Sequence, residues 1–478
     1  MNRKHLLTLC LVALFGVTSL AAAAGDARLV DAVKNRDLAN MRSLLKQRID
    51  VNAADAEGMT ALHWAAHWGD LATVKLLIGA GANAKAANRY GVTPLHEAST
   101  IGNAGIMEAL LKAGANPNAA YGSGETPVMT AARTGNVDAV KVLLDSGADP
   151  NASEEWRGQT ALMWAAAENH TAVARLLTDH GANVNARSVV YDFPTLTGTN
   201  GGIIHDRPMG GLTALIFAAR QGAIETAQIL VAAGANLNEA EPQYGFTPMQ
   251  TAIFNGHYDF AAFLLDKGAE VNDGSLYIAT EMRNLATYSN RPNPPDIDRT
   301  MNSLDMVKLL LARGADPNKV YDKTIPPRQA QGNINVIAGA TALHRATRST
   351  DLTVIRLLME KGGNASSATK DGSTPLMMAS GLGGPRGSDE EVTDAADRAD
   401  PLDAVKIFVA AGANLNAAQE TSGNTALHYA AQRGSDRIVE FLVSNGARLD
   451  AKNKQGKTPL ELAPKRTADL IHKLTAGQ

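Results

Sequence analysis

Apolar residues recur in short paired runs on a fixed beat. In Thr60-Ala61-Leu62-His63-Trp64-Ala65-Ala66 a threonine precedes leucine and alanines at helical spacing, and Thr73-Val74-Lys75-Leu76-Leu77-Ile78 follows as a second amphipathic run. The phrase returns as Thr93-Pro94-Leu95-His96-Glu97-Ala98, Thr126-Pro127-Val128-Met129-Thr130-Ala131-Ala132 and Thr160-Ala161-Leu162-Met163-Trp164-Ala165-Ala166, with threonines 33, 33 and 34 residues apart. It reappears at Thr213, Thr247, Thr341, Thr374, Thr425 and Thr458; Leu29-Val30-Asp31-Ala32 and Leu276-Tyr277-Ile278-Ala279 keep it without the threonine. About twelve units result, most closed by Gly-Ala-Asn or Gly-Ala-Asp, as at Gly81-Ala82-Asn83 and Gly314-Ala315-Asp316. Units this small cannot bury their own apolar faces, so they must stack.

Each position has a physical reading. The threonine is an N-cap, and Pro94 and Pro127 suit the first helical position. Gly69, Gly102, Gly135 and Gly222 fall where a helix ends in a left-handed residue. The predicted unit is helix, turn, helix and a hairpin-like loop. These residues closely resemble the ankyrin repeat family, whose unit carries a T-P-L-H-x-A phrase. The resemblance covers roughly residues 26–478 and implies an all-α ankyrin solenoid with projecting finger loops, read as one elongated domain. It also implies that His63, His96, His344 and His428 make structural hydrogen bonds between adjacent loops.

The beat fails in four places. Insertions near 189–210 and 321–340 fall in the fingers, and those near 284–302 and 381–401 fall between the two helices of a unit. The unit at Leu276 has almost no finger, since Val271-Asn272-Asp273-Gly274-Ser275 runs straight into its helix. Long insertions in such an array are functional loops or tolerated excursions.

Residues 1–25 depart from the repeats. Arg3, Lys4 and His5 precede an apolar stretch from Leu6 to Leu20 and a small-residue end at Ala21–Gly25, the pattern of a secretory signal peptide cut after Ala22 or Ala24. Cys10, the only cysteine, follows Leu9 rather than a small residue, which argues against a lipoprotein. Without the leader no cysteine is left for a disulfide, a thiolate metal site or a nucleophile. Together these point to a periplasmic or secreted protein, with a Gram-negative bacterium as the expected source. Losing Arg3 and Lys4 leaves 43 basic residues of 45 against 48 acidic ones, so the net charge moves from −3 to −5. That balance disfavours nucleic acid and anionic membrane as partners, and no other run is long enough to span a bilayer.

The search for catalytic chemistry finds little. His67, His170, His180 and His257 are not spaced as ligands, and HExxH, Cys/His and EF-hand patterns are absent. His205-Asp206-Arg207 has acid–base groups but no nucleophile or metal beside them, and Gly381-Leu382-Gly383-Gly384 lacks the Lys-Ser/Thr of a phosphate loop. No catalytic residue, cofactor or metal is assigned. The resemblance instead implies partner binding at finger tips and first-helix ends, which by position here are Trp68, Tyr90, Tyr121, Trp156, Arg157, Arg220, Tyr244, Phe246 and Phe254. Tyr, Trp and Arg dominate interface hot spots. The expected function is a non-enzymatic, monomeric scaffold that binds a protein on this concave face. A secreted effector acting on a host protein and an enzyme built on the insertions stay open as alternatives.

Overall fold

The computed structural model describes residues 27–191, 209–284, 300–323, 325, 337–382 and 400–476. Residues 1–25, read from the sequence as a leader, His205-Asp206-Arg207 and most of the four insertions lie outside them. Within the described residues, 24 helices form twelve pairs of an all-α array. The chain falls into two compact units, one reaching to residue 191 with 210–218 and 225–235, the other chiefly residue 236 onward.

In the first unit, helices 61–67, 94–101, 127–134 and 161–167 lie side by side, each followed by an outer helix such as 71–79 or 104–112. Leu62, Leu95, Val128 and Leu162 are buried between inner helices, and the alanines allow their close approach. The threonines cap as the spacing predicts. Thr60 N–H donates to His63 Nδ1 at 3.1 Å, and Thr160 Oγ1 accepts from Met163 N–H at 3.4 Å. Gly102 and Gly135 are left-handed (φ +68° and +73°). A second constraint acts there: a Cβ on Gly102 would lie 2.5 Å from Asn136 Nδ2, which donates to the Gly102 carbonyl at 2.9 Å.

Asparagines tie each closing loop to the next. Asn118 Nδ2 donates to Gly147 O at 3.0 Å while its Oδ1 accepts from Asp149 N–H at 2.7 Å; Asn151 repeats this with Gly181 and Asn183. In the second unit the same link spans the insertions. Asp316 N–H donates to Asn272 Oδ1 (2.8 Å) across the 284–302 insertion, and Asn364 N–H donates to Asn318 Oδ1 (2.7 Å) across 321–340. The latter insertion enters and leaves as a finger, since Tyr321 N–H donates to Ala340 O at 2.8 Å.

The fingerless helix, Ser275–Arg283, is the exception. It has left-handed Gly274 at its N-cap, and every residue from Ser275 to Met282 is buried. Tyr277 occupies the histidine slot and stacks on Tyr321 (4.6 Å between centroids, 7° between planes). At its far end Glu281 and Arg345 form a buried ion pair, each side chain 4% exposed.

Candidate protein-binding surface

Finger shape depends on one acceptor. Asp55 Oδ1 takes the N–H groups of Glu57 and Met59, both at 2.9 Å, and Asn88 Oδ1 takes those of Tyr90 and Val92 at 2.9 and 3.0 Å. Both stand five residues before the threonine. The finger at 154–159 is one residue longer, and its acceptor is correspondingly the longer Glu154. Its carboxylate, buried, receives Trp156, Arg157 and Gln159 N–H at 2.7–2.9 Å. Glu241 in the second unit does the same for Gln243, Tyr244 and Phe246. The glycine two residues before the threonine completes the turn, left-handed at Gly91 (φ +84°) and Gly158 (φ +63°). Neighbouring fingers share backbone bonds such as Val189 N–H to Arg157 O at 2.7 Å.

This cradle turns the third and fourth residues before the threonine outward. Tyr90 is 63% exposed and Trp156 62%, with the Arg157 guanidinium 4.2 Å from the Trp156 ring. The residue just before the threonine turns inward, which corrects the expectation for Phe246. At 3% exposure it packs between Tyr244 and half-buried Phe254, at 6.3 and 5.6 Å, and cannot face a partner. Tyr121 sits at a finger base, half-buried with its ring edge on His96 (4.7 Å), so it braces the loop instead of forming a tip. Arg220 is exposed at the end of its helix, and Tyr244 is half-buried.

Trp68, 39% exposed, belongs to a separate cluster. It stacks on Trp64 (6.1 Å) and meets His67 edge-on (4.9 Å), while Arg36 lies 4.5 Å over its ring and Lys34 4.8 Å over Trp64. His67 Nδ1 pairs with Glu97 Oε2 at 2.9 Å. Arg36 holds φ +58° at a position where most units place glycine, as Asn169 and Thr350 do in theirs, and the Trp64 indole N–H is buried without an acceptor. Both cost free energy, and such costs concentrate at functional surfaces. Among the described residues, no ring contact joins Trp68 to Tyr90 or Trp156. Sequence reasoning missed Arg36 and Lys34, which lie one unit earlier, and the acceptor–glycine spacing that signals which finger residues point out.

Truncating Glu154 to alanine would strand three amides. The expected loss is about 2 kcal/mol, as a carboxylate giving charge-assisted bonds is removed. Hydrogen exchange at Trp156, Arg157 and Gln159 should accelerate with it; unchanged exchange would show that the cradle does not set the finger.

Of the phrase histidines, His63 Nε2–H donates to Val92 O (3.0 Å) and His428 Nε2–H to Lys457 O (3.1 Å), linking adjacent loops. In His96 and His344 only Nδ1 is engaged; carbonyls near Nε2 raise the pKa without reaching bonding geometry. Burial drives all four below the ordinary histidine value, His96 and His344 to about 4. They are neutral structural groups. Among the described residues, no three His, Cys, Asp or Glu side chains gather as a metal site, and no helix is long and apolar enough to cross a membrane.

Stacked helix pairs with capped threonines and linked fingers define a helical repeat protein. The family model "Ankyrin repeats (3 copies)" matches residues 29–121, 119–188, 195–275, 299–385 and 393–475, and the chain belongs to the ankyrin repeat family. It is similar to the E3 ubiquitin-protein ligase KEG of Arabidopsis thaliana (25% identical over 294 residues; 54% of this chain, 16% of that one). Similar too are human Rabankyrin-5 (25% over 235 residues; 46% and 18%) and palmitoyltransferase ZDHHC17 of Danio rerio (30% over 198 residues; 34% and 27%). The chain matches about a quarter or less of the length of these three proteins. Its repeats mark it as a protein-interaction scaffold of a typically non-enzymatic fold.

Proposed function

We propose that this protein is a non-enzymatic scaffold, exported to a bacterial periplasm by the leader at residues 1–25, which binds a protein partner through the aromatic and cationic side chains of its first unit. The observation that carries this is the Trp64–Trp68 stack under Arg36 and Lys34. It is a partly exposed aromatic surface whose cations are already positioned, in a chain with only 5% aromatic residues. Trp156 and Arg157, fixed by the Glu154 cradle, supply a second anchor. Rigid anchors lose little conformational entropy on docking, so a modest contact area gives useful affinity.

The test is capture from periplasmic extract with the mature chain as bait. Trp68→Ala/Trp156→Ala should weaken capture about tenfold or more while leaving the far-ultraviolet spectrum intact. Undiminished capture would remove both anchors from the proposal. Fractionation tests export separately: the mature chain in the medium rather than the periplasm would favour a secreted effector.

A further inference from the structure

Neighbouring fingers are joined in the same way everywhere but at one place. In seven pairs the carbonyl three residues before a threonine accepts a backbone N–H from the finger that follows. Glu57 does so from Arg89 (3.1 Å), Ser123 from Glu155 (2.6 Å), Ala338 from Lys370 (2.8 Å) and Asp371 from Glu420 (2.9 Å). After Thr247 there is no such amide, because the repeat at Leu276 runs from Val271 to Ser275 without a finger. A side chain stands there instead. Lys323, half-buried, comes from the finger beyond the gap and donates through Nζ to the Gly245 carbonyl at 2.6 Å and to Gln250 Oε1 at 3.3 Å.

Its neighbours seat it. Tyr321, 2% exposed, stacks on Tyr277 of the fingerless repeat, and a Cβ on Gly274 would lie 2.9 Å from the Tyr321 ring. Ile325, two residues beyond the lysine, is buried as deeply. The lysine stem crosses left-handed Gly245 (φ +68°), where a Cβ would meet Lys323 Cδ at 3.5 Å. Burial holds the Lys323 amine below the ordinary lysine value, while the carboxylates of Asp273, Asp322 and Glu241 favour its charge. A bond from an ammonium is about twice as strong as one from a neutral amide.

From this geometry we propose that Lys323 is a clasp: its ammonium takes the place of the missing finger's amide and locks the finger carrying Tyr244 to the one that begins at Tyr321. With the clasp open, the finger side of the array has a gap at the fingerless repeat, which then acts as a hinge. The clasp shares no residue with the Trp68 and Trp156 anchors, so either proposal can fail alone.

Hydrogen exchange in the full chain tests it. Lys323→Met keeps most of the stem and removes the donors, so the amides of Gln243, Tyr244 and Phe246 should exchange about tenfold faster or more, the effect of losing one charge-assisted bond. Those of Gly423 and Asn424, in a finger that Lys323 does not touch, should be unchanged. Unchanged exchange at Gln243, Tyr244 and Phe246 would overturn the proposal. So would equal acceleration at Gly423 and Asn424, which would make Lys323 a contributor to general stability alone. Spin labels at Gln243→Cys and Lys370→Cys, in a Cys10→Ser background, read the hinge by electron–electron double resonance. One narrow distance distribution is expected with Lys323 in place and a broader one in Lys323→Met. Equally narrow distributions would overturn the proposal even if that variant melts early.

Discussion

Replacing Arg345 with methionine is expected to destabilise the second unit by about 3–5 kcal/mol, the cost of leaving a buried charge without its partner. Arg345 donates through Nε and Nη2 to Glu281, through Nη2 to the Asn284 carbonyl at 3.2 Å, and through Nη1 to Ser349. Next to it, Arg283 Nε donates to Asp351 Oδ2 at 2.7 Å, and Asp351 Oδ1 caps the helix Leu352–Glu360 through Val354 N–H. Few donors are left to water, so the group cannot rehydrate cheaply when one member goes. Replacing both partners, as in Glu281→Leu/Arg345→Met, should recover most of the loss, because two well-packed apolar side chains do not require a counter-charge. Urea titration of wild type, both single variants and the double variant measures this directly. If each single change costs under about 1 kcal/mol, the pair is effectively solvated and the argument from burial fails.

This network was not legible in the sequence, and the reason is physical. Glu281 and Arg345 are 64 residues apart, with two insertions between them, and each occupies a slot that the repeat leaves variable. Periodicity reports which face of a helix is buried by repetition; it says nothing of charges buried where a finger is missing. The repeat itself was legible because the residues that make it act locally. Threonine caps its own helix, and glycine ends it in a left-handed turn. The outward-facing tips were partly legible. Trp68, Tyr90 and Trp156 were placed on the surface by position alone, and their exposure agrees. Phe246 and Tyr121 were misplaced because chain position was read without the turn geometry. For Phe246 that geometry was present in the sequence, in Glu241 six residues before Thr247 with Gly245 at minus two, whereas Tyr121 itself fills the slot five residues before Thr126 where Asp55 and Asn88 stand in their fingers.

Mild acid should destabilise this protein through its phrase histidines before most of its carboxylates titrate. His96 and His344 have folded pKa values of about 4 against about 6.5 for an exposed imidazole. Between those values the unfolded chain binds a proton that the folded chain refuses, so stability falls as pH drops through the window and levels off below about 4. Complete titration is worth about 3 kcal/mol per histidine, and about 2 kcal/mol is already lost at pH 5, above the range where most carboxylates protonate. The chain supplies its own control. Gln250 fills the same slot in another unit, its Oε1 accepting from Thr247 N–H at 3.2 Å and its Nε2 donating to Asp273 O at 2.9 Å. Glutamine thus reproduces the cap without a titrating group, and His96→Gln should fold normally at pH 7. Its urea midpoint should move less than that of wild type between pH 7 and pH 5, by the equivalent of about 2 kcal/mol. Identical pH dependence in the two proteins would mean that His96 is protonated in the folded state, and the neutral-histidine account of the cap would have to be abandoned.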